Sequence, residues 1–88
     1  MENGELYKRI GLKIRKLREE KNISLQELSD KLDIEYNNLI RIEKGRTNPT
    51  IGTLFKICQT LEIKLIDILD VDYFDAGQNS RLNNRGGH

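Results

Sequence analysis

Tyr36, Asn37, Arg41 and Lys44 recur at a spacing that puts them on one outward side of a single short helix. Their side chains offer no covalent chemistry. They are donors and acceptors of the kind that read base edges: asparagine can bond adenine at two points and arginine can bond guanine at two points. The stretch Ile23-Ser24-Leu25-Gln26-Glu27-Leu28-Ser29-Asp30-Lys31-Leu32-Asp33-Ile34 precedes them. It reads as another short helix ending in a tight turn. Two packed helices presenting such a row suit a DNA major groove. Taken alone, the same four residues are equally an ordinary solvated face.

Other chemistries lack residues. Cys58 is the only cysteine, and His88, at the chain end, the only histidine. They supply neither a metal site nor a nucleophile–base pair. Cys58 falls on an apolar helical stripe and reads as a small buried hydrophobe. The acids are scattered, without a pair arranged for acid–base catalysis. No catalytic residue, metal or cofactor is expected, and the chain does not read as an enzyme. A lone cysteine cannot close an internal disulfide, which fits a reducing compartment. Met1 to Glu5 is acidic and polar, unlike a signal peptide. No apolar run approaches the ~20 residues that span a bilayer. A cytoplasmic protein without membrane association is expected. Eighty-eight residues make one domain with a modest core. No second domain is expected, and so no small-molecule ligand. Net charge is only +1, but residues 1 to 21 hold seven Lys or Arg against four Glu. A DNA footprint would lie on that half.

The elements that must position the outward row follow from periodicity and end signals. Over residues 6 to 21, Tyr7, Ile10, Gly11, Ile14, Leu17, Arg18 and Lys21 recur at steps of three and four, which predicts a helix with its apolar members inward. Ser24 opens the next helix. Glu27 three residues on makes a capping box, and Ile23 and Leu28 stand at the staple positions. Leu25, Leu28 and Leu32 form its buried stripe, with small Ser29 on the same side. A third helix is expected from about Glu35 to Lys44, anchored by Ile34, Leu39 and Ile42 and stopped by Gly45. Pro49 blocks helix through the following loop. Thr50 caps a fourth helix over 51 to 61, with Ile51, Leu54, Ile57, Cys58 and Leu61 inward. A short fifth helix runs from Leu65 to Asp70. No strand is expected. Residues 6 to 74 form the domain, and 75 to 88, poor in apolar residues, read as a flexible, disordered tail.

Ile14-Arg15-Lys16-Leu17-Arg18, Ser24-Leu25-Gln26-Glu27-Leu28-Ser29, Leu39-Ile40-Arg41-Ile42-Glu43-Lys44-Gly45, Asn48-Pro49-Thr50-Ile51 and Leu54-Phe55-Lys56-Ile57-Cys58 follow in order. Together they resemble the helix-turn-helix domain of the Cro and phage-repressor (XRE-like) type, over roughly residues 10 to 70. The resemblance implies an all-α, five-helix repressor-like DNA-binding domain, often dimeric, that represses or activates transcription. It implies base contacts from Tyr36, Asn37 and Arg41, with Asn38 beside them. It implies that the start of the second helix clamps a phosphate through Ser24 and Leu25, the latter by backbone only. Ser24 would serve chiefly as the cap. Lys44, Arg46, Thr47 and Asn48 would face the DNA backbone. Arg18 and Glu43 match a pair that bridges the first and third helices. The chain departs from the pattern in three places. Asp33 stands where glycine is usual, Ser29 where alanine is usual, and Lys64 where a capping serine is common.

One recognition helix reads too few base pairs to find a site in a genome. Members of the resembled family commonly pair. Ile63, Leu65, Ile66, Leu69, Val71 and Phe74 exceed what a short last helix needs for its own packing. Ile66 falls off the inward face set by Leu65 and Leu69. A two-fold homodimer on double-stranded, palindromic DNA is expected, the alternative being that Val71 to Phe74 plug the core. Two other functions fit the same scaffold: an antitoxin or restriction–modification controller, and a protein-interaction module without DNA binding.

Overall fold

The computed structural model describes residues 3 to 69. Five helices succeed one another: α1 (Asn3–Glu20), α2 (Leu25–Leu32), α3 (Tyr36–Glu43), α4 (Ile51–Leu61) and α5 (Leu65–Leu69). The described residues contain no strand, and no helix among them is long and apolar enough to cross a membrane. Val71, Phe74 and the tail expected over 75 to 88 lie outside the described residues, as does the expected helix end at Asp70.

α3 packs on α1 and α2, while α4 packs on α2 and α5, and α5 returns to α1. The common core is Ile10, Ile14, Leu28, Leu32, Leu39, Ile42, Leu54, Ile57, Cys58, Leu61 and Ile68. Leu25 is only half-buried at its edge. Burial pushes the Cys58 thiol up from its ordinary pKa, with the Asp67 charge adding to this, so it stays a protonated hydrophobe.

Periodicity erred at several ends. α1 begins three residues before the expected start. Its added turn carries Glu5, which pairs with Arg9 at 2.9 Å. Lys21, expected within the helix, lies past its end and is exposed. Ile51, expected inside, is 63% exposed because it stands in the first turn of α4, where no neighbouring helix covers it. In α5 the inward residue is Ile68, fully buried, with Leu65 and Leu69 only half-buried beside it. The capping box forms by half: Ser24 Oγ accepts from the Glu27 N–H at 3.0 Å, with no return bond from the Glu27 carboxylate. Thr50 caps α4 in the same way, at 3.1 Å. Lys64 offers no cap, and α5 is opened from inside instead: the Lys64 N–H donates to Asp67 Oδ2 at 2.9 Å.

All four links between helices turn on a residue with left-handed backbone. These are Asn22 (φ 58°), Asp33 (φ 57°), Gly45 (φ 71°) and Glu62 (φ 57°). At each, two successive N–H groups bond back to the last turn. Asp33 donates to the Asp30 carbonyl at 3.2 Å and Ile34 to that of Ser29 at 3.1 Å; Glu62 donates to Gln59 at 3.2 Å and Ile63 to Cys58 at 2.9 Å. These bonds satisfy carbonyls that a helix end would otherwise orphan. Ile23, Ile34 and Ile63, each just past its turn, then fold onto the core.

α1 and α3 cross at backbone distance. A Cβ on Gly11 would collide with the carbonyl oxygens of Ile42 and Glu43, and one on Gly45 would collide with the Lys8 backbone. Beside this crossing, Arg18 Nε donates to Glu43 Oε2 at 2.8 Å and Nη2 to Oε1 at 3.2 Å. Nη1 donates to the Ile23 carbonyl at 2.7 Å. Arg18 is 7% exposed and Glu43 6%. The bonds to Glu43 raise the Arg18 pKa against the opposing effect of burial, so its charge persists. One guanidinium thereby joins α1, the entry to α2, and α3.

Two stability measurements test these contacts. Glu43→Gln should cost about 3 kcal/mol, because Arg18 loses its buried carboxylate partner and keeps only the exposed Glu19, 3.9 Å away. Arg18→Met combined with Glu43→Leu should recover most of that loss. An unchanged melting temperature in Glu43→Gln would show that the pair carries no such burden. Glu62→Gly should stabilise by about 1 kcal/mol, because left-handed backbone strains an ordinary residue by roughly that much. In a domain of this size the gain is roughly 4–8 °C in melting temperature. Asp33→Gly and Asn22→Gly should gain less, since Asp and Asn tolerate that region better. A Glu62→Gly protein melting below wild type would refute the strain.

Candidate nucleic-acid interface

α3 has two unlike sides. Leu39, Ile42 and Glu43 are buried. Tyr36, Asn37, Arg41 and Lys44 are exposed, Tyr36 at 42%. Asn38 and Ile40 are half-buried at the borders. The division follows from the 3.6-residue period: the inward positions hold two aliphatic residues and the acid paired to Arg18, which leaves polar positions to water. Among the sequence-derived base readers, Asn37 and Arg41 therefore stand one above the other, with Lys44 one turn further. Tyr36 sits at the edge of the row and Asn38 at its far side. Arg41 and Lys44 meet no carboxylate among the described residues.

The start of α3 has no side-chain cap. Glu35 holds the cap position with extended backbone but makes no capping bond. The start of α2 is different: Ser24 Oγ takes up the Glu27 N–H, so Ser24 is engaged as a cap while its residue remains exposed. Leu25, the first residue of α2, is half-buried. Its side chain lines an open groove of about 280 Å³ together with Arg15, Arg18, Ile40, Glu43 and Lys44. This groove separates the exposed row of α3 from the start of α2. Its lining combines the half-buried Leu25 and Ile40, the buried Arg18–Glu43 pair and the exposed cations Arg15 and Lys44.

Beyond Gly45 the loop projects Arg46 and Asn48 into solvent, with Thr47 half-buried. Arg46 also donates its N–H to the Arg41 carbonyl at 2.9 Å, which ties the start of the loop to the last turn of α3. The structure thus brings Tyr36, Asn37, Arg41, Lys44 and Arg46 onto one helix and its exit. Ser24 and Leu25 lie across the groove. Ile63, Leu65 and Leu69 are instead partly used against their own core, and Ile66 is left 62% exposed.

Three features of the site escape the sequence reading. Arg15 on the groove wall carries no local signal beyond being one cation of seven near the start. The Arg18 bond to the Ile23 carbonyl depends on the turn at Asn22. The Gly11 contact is hinted at by a glycine within an apolar row, but its partner is distant in sequence. Among the described residues no cluster of His, Cys, Asp or Glu is placed to hold a metal.

Comparison with known proteins agrees with this geometry. The helix-turn-helix family (HTH_3) matches residues 14–68. An uncharacterized HTH-type transcriptional regulator of Sinorhizobium fredii, y4dJ, is 28% identical over 65 residues, covering 74% of this chain and 84% of that protein. The HTH-type transcriptional regulator SinR of Bacillus subtilis is 37% identical over 62 residues, covering 69% of this chain and 56% of SinR. The chain thus spans little more than half of SinR. The crystal structure of the clp gene regulator ClgR from C. glutamicum is similar at a TM-score of 0.72, with 26% identity, over 74% of this chain and 83% of that one. The family match spans more than half of the chain, and the chain belongs to the helix-turn-helix family of Cro/C1-type DNA-binding transcriptional regulators.

Proposed function

We propose that this chain regulates transcription by reading a palindromic operator as a two-fold homodimer, with α3 in the major groove of each half-site. The observation that carries the reading is the division of α3. Every inward position is filled by core or by the Arg18 partner, while Asn37, Arg41 and Lys44 stand exposed in one row. Tyr36, Asn37, Asn38 and Arg41 are the base-reading set. Asn37 suits adenine and Arg41 suits guanine, each through two hydrogen bonds. Ser24, the backbone N–H groups at Leu25, and Lys44, Arg46, Thr47 and Asn48 hold phosphates. The start of α2 carries free N–H groups and a partial positive charge, which favours an anion there.

Pairing runs through α5. Ile66 has no packing role within its own core, and Ile63, Leu65 and Leu69 offer their outer halves beside it. Val71 and Phe74 belong to the same proposed surface. A two-fold axis sets the recognition helices roughly 34 Å apart, in successive major grooves.

Selection of bound sequences from random duplex DNA tests the reading. The expected result is an inverted repeat with half-sites about one helical turn apart. Enrichment of no sequence would overturn it. On the selected site, Arg41→Ala should cost about 1–3 kcal/mol and relax preference at one base pair. Arg46→Ala should weaken all sequences alike and reduce the salt slope by about one counterion. A loss from Arg46→Ala confined to one base pair would reassign it as a base reader. Sedimentation at micromolar concentration should find a dimer that Ile66→Glu dissociates. A wild-type chain that stays monomeric alone and binds one per site rules out the pairing.

A further inference from the structure

The family match begins at residue 14, yet α1 begins at Asn3, so roughly three turns of α1 precede it. Those turns are packed against the recognition helix. Gly11 lies on the carbonyls of Ile42 and Glu43, and Lys8 lies on Gly45. α1 therefore crosses the exit of α3, and what it exposes there is set beside the base-reading row. Lys8 and Arg15 stand on one stripe of α1, two turns and roughly 10 Å apart. Arg15 shares the groove wall with Lys44, whose neighbour Gly45 abuts Lys8. The three cations make one ridge, in the order Lys8, Lys44, Arg15. Lys8 and Lys44 pair with no carboxylate among the described residues. Arg15 is held at 3.2 Å by Glu19, and both side chains are more than half exposed.

We propose that Lys8 and Arg15 grip the phosphate backbone beside the groove that α3 enters, which makes α1 part of the DNA interface. The inference rests on the DNA-reading role of α3 and extends it to a helix that role does not include. The ridge is too long for a single phosphate group to bridge, so its occupant carries repeated charges. Its continuity with Arg41 and Lys44 makes that occupant the same duplex. The Glu19 pair is no obstacle. An exposed ion pair is worth little in water, and a phosphate can accept from Arg15 at two points where Glu19 takes one bond.

The test is the salt dependence of binding to a mixed-sequence duplex of about 20 base pairs, two helical turns, followed by fluorescence anisotropy. Lys8→Gln and Arg15→Gln should each reduce the magnitude of the log–log salt slope by about 0.9, and the double variant by about twice that. Glutamine keeps the Lys8 stem on Gly45 as far as Cγ, so circular dichroism should show the helices intact. A double variant with the wild-type slope would overturn the role of α1 while leaving that of α3 standing. A wild-type chain that binds no duplex would bring down both.

Discussion

The orientation of α3 depends on Arg18, which makes three hydrogen bonds inside the protein, two of them to Glu43. Taking a guanidinium and a carboxylate out of water is costly, and apolar side chains of similar volume would fill the same space without loss of stability. What they would lack is direction. A two-point contact between planar groups fixes the rotation of α3 about its own axis as well as its distance from α1. A rotation of about 20° moves a side-chain tip by on the order of 2 Å at the helix surface. That exceeds the distance window of a good hydrogen bond. For a helix proposed to present Asn37 and Arg41 to rigid base edges, rotational error is the one that matters, and the Arg18–Glu43 pair opposes it.

The glycines at the same crossing serve the same end. Side chains at positions 11 and 45 would force α1 and α3 apart, and the guanidinium would lose its reach to Glu43. Gly11 costs the helix interior up to ~1 kcal/mol relative to alanine. The cost is accepted where backbone meets backbone. The four left-handed turns differ in the residue that comes next. After Asn22, Asp33 and Glu62 comes an isoleucine that folds inward. After Gly45 comes Arg46, exposed. Three links close the core and the fourth, at the exit of α3, opens toward solvent.

What the sequence shows and what it hides divide along the range of the interactions. Ser24 and Thr50 announce their helices because a hydroxyl reaching the N–H three residues on is a local event. The polar row on α3 is legible because the period is local too. Asp33 in place of glycine is readable as a turn, since aspartate tolerates left-handed backbone. Glu62 is not readable in this way. Glutamate has no special tolerance there, and its backbone is held by Ile63 folding onto the core, which only the assembled bundle supplies. Ile51 is misplaced and Ile68 missed for the same reason. Periodicity finds the apolar side of a helix, but which residues along that side are covered depends on where neighbouring helices begin and end. Asp67 capping α5 from within replaces the expected serine by a residue the pattern does not inspect.

A formal charge of +1 over the whole chain looks weak for a DNA-binding protein. Electrostatic reach decides otherwise. At physiological salt the Debye length is about 8 Å, so a phosphate senses the charges beside it and little of the rest. The Glu43 carboxylate is spent on Arg18, inside the protein. Arg41, Lys44 and Arg46 keep their charges exposed with no carboxylate partner among the described residues. Half of the ten acids among the described residues, Glu27, Asp30, Asp33, Glu62 and Asp67, belong to α2, α4 and α5 or their ends. Near neutrality overall is compatible with a strongly positive strip along one helix and its exit, and it limits attraction to nucleic acid on the remaining faces.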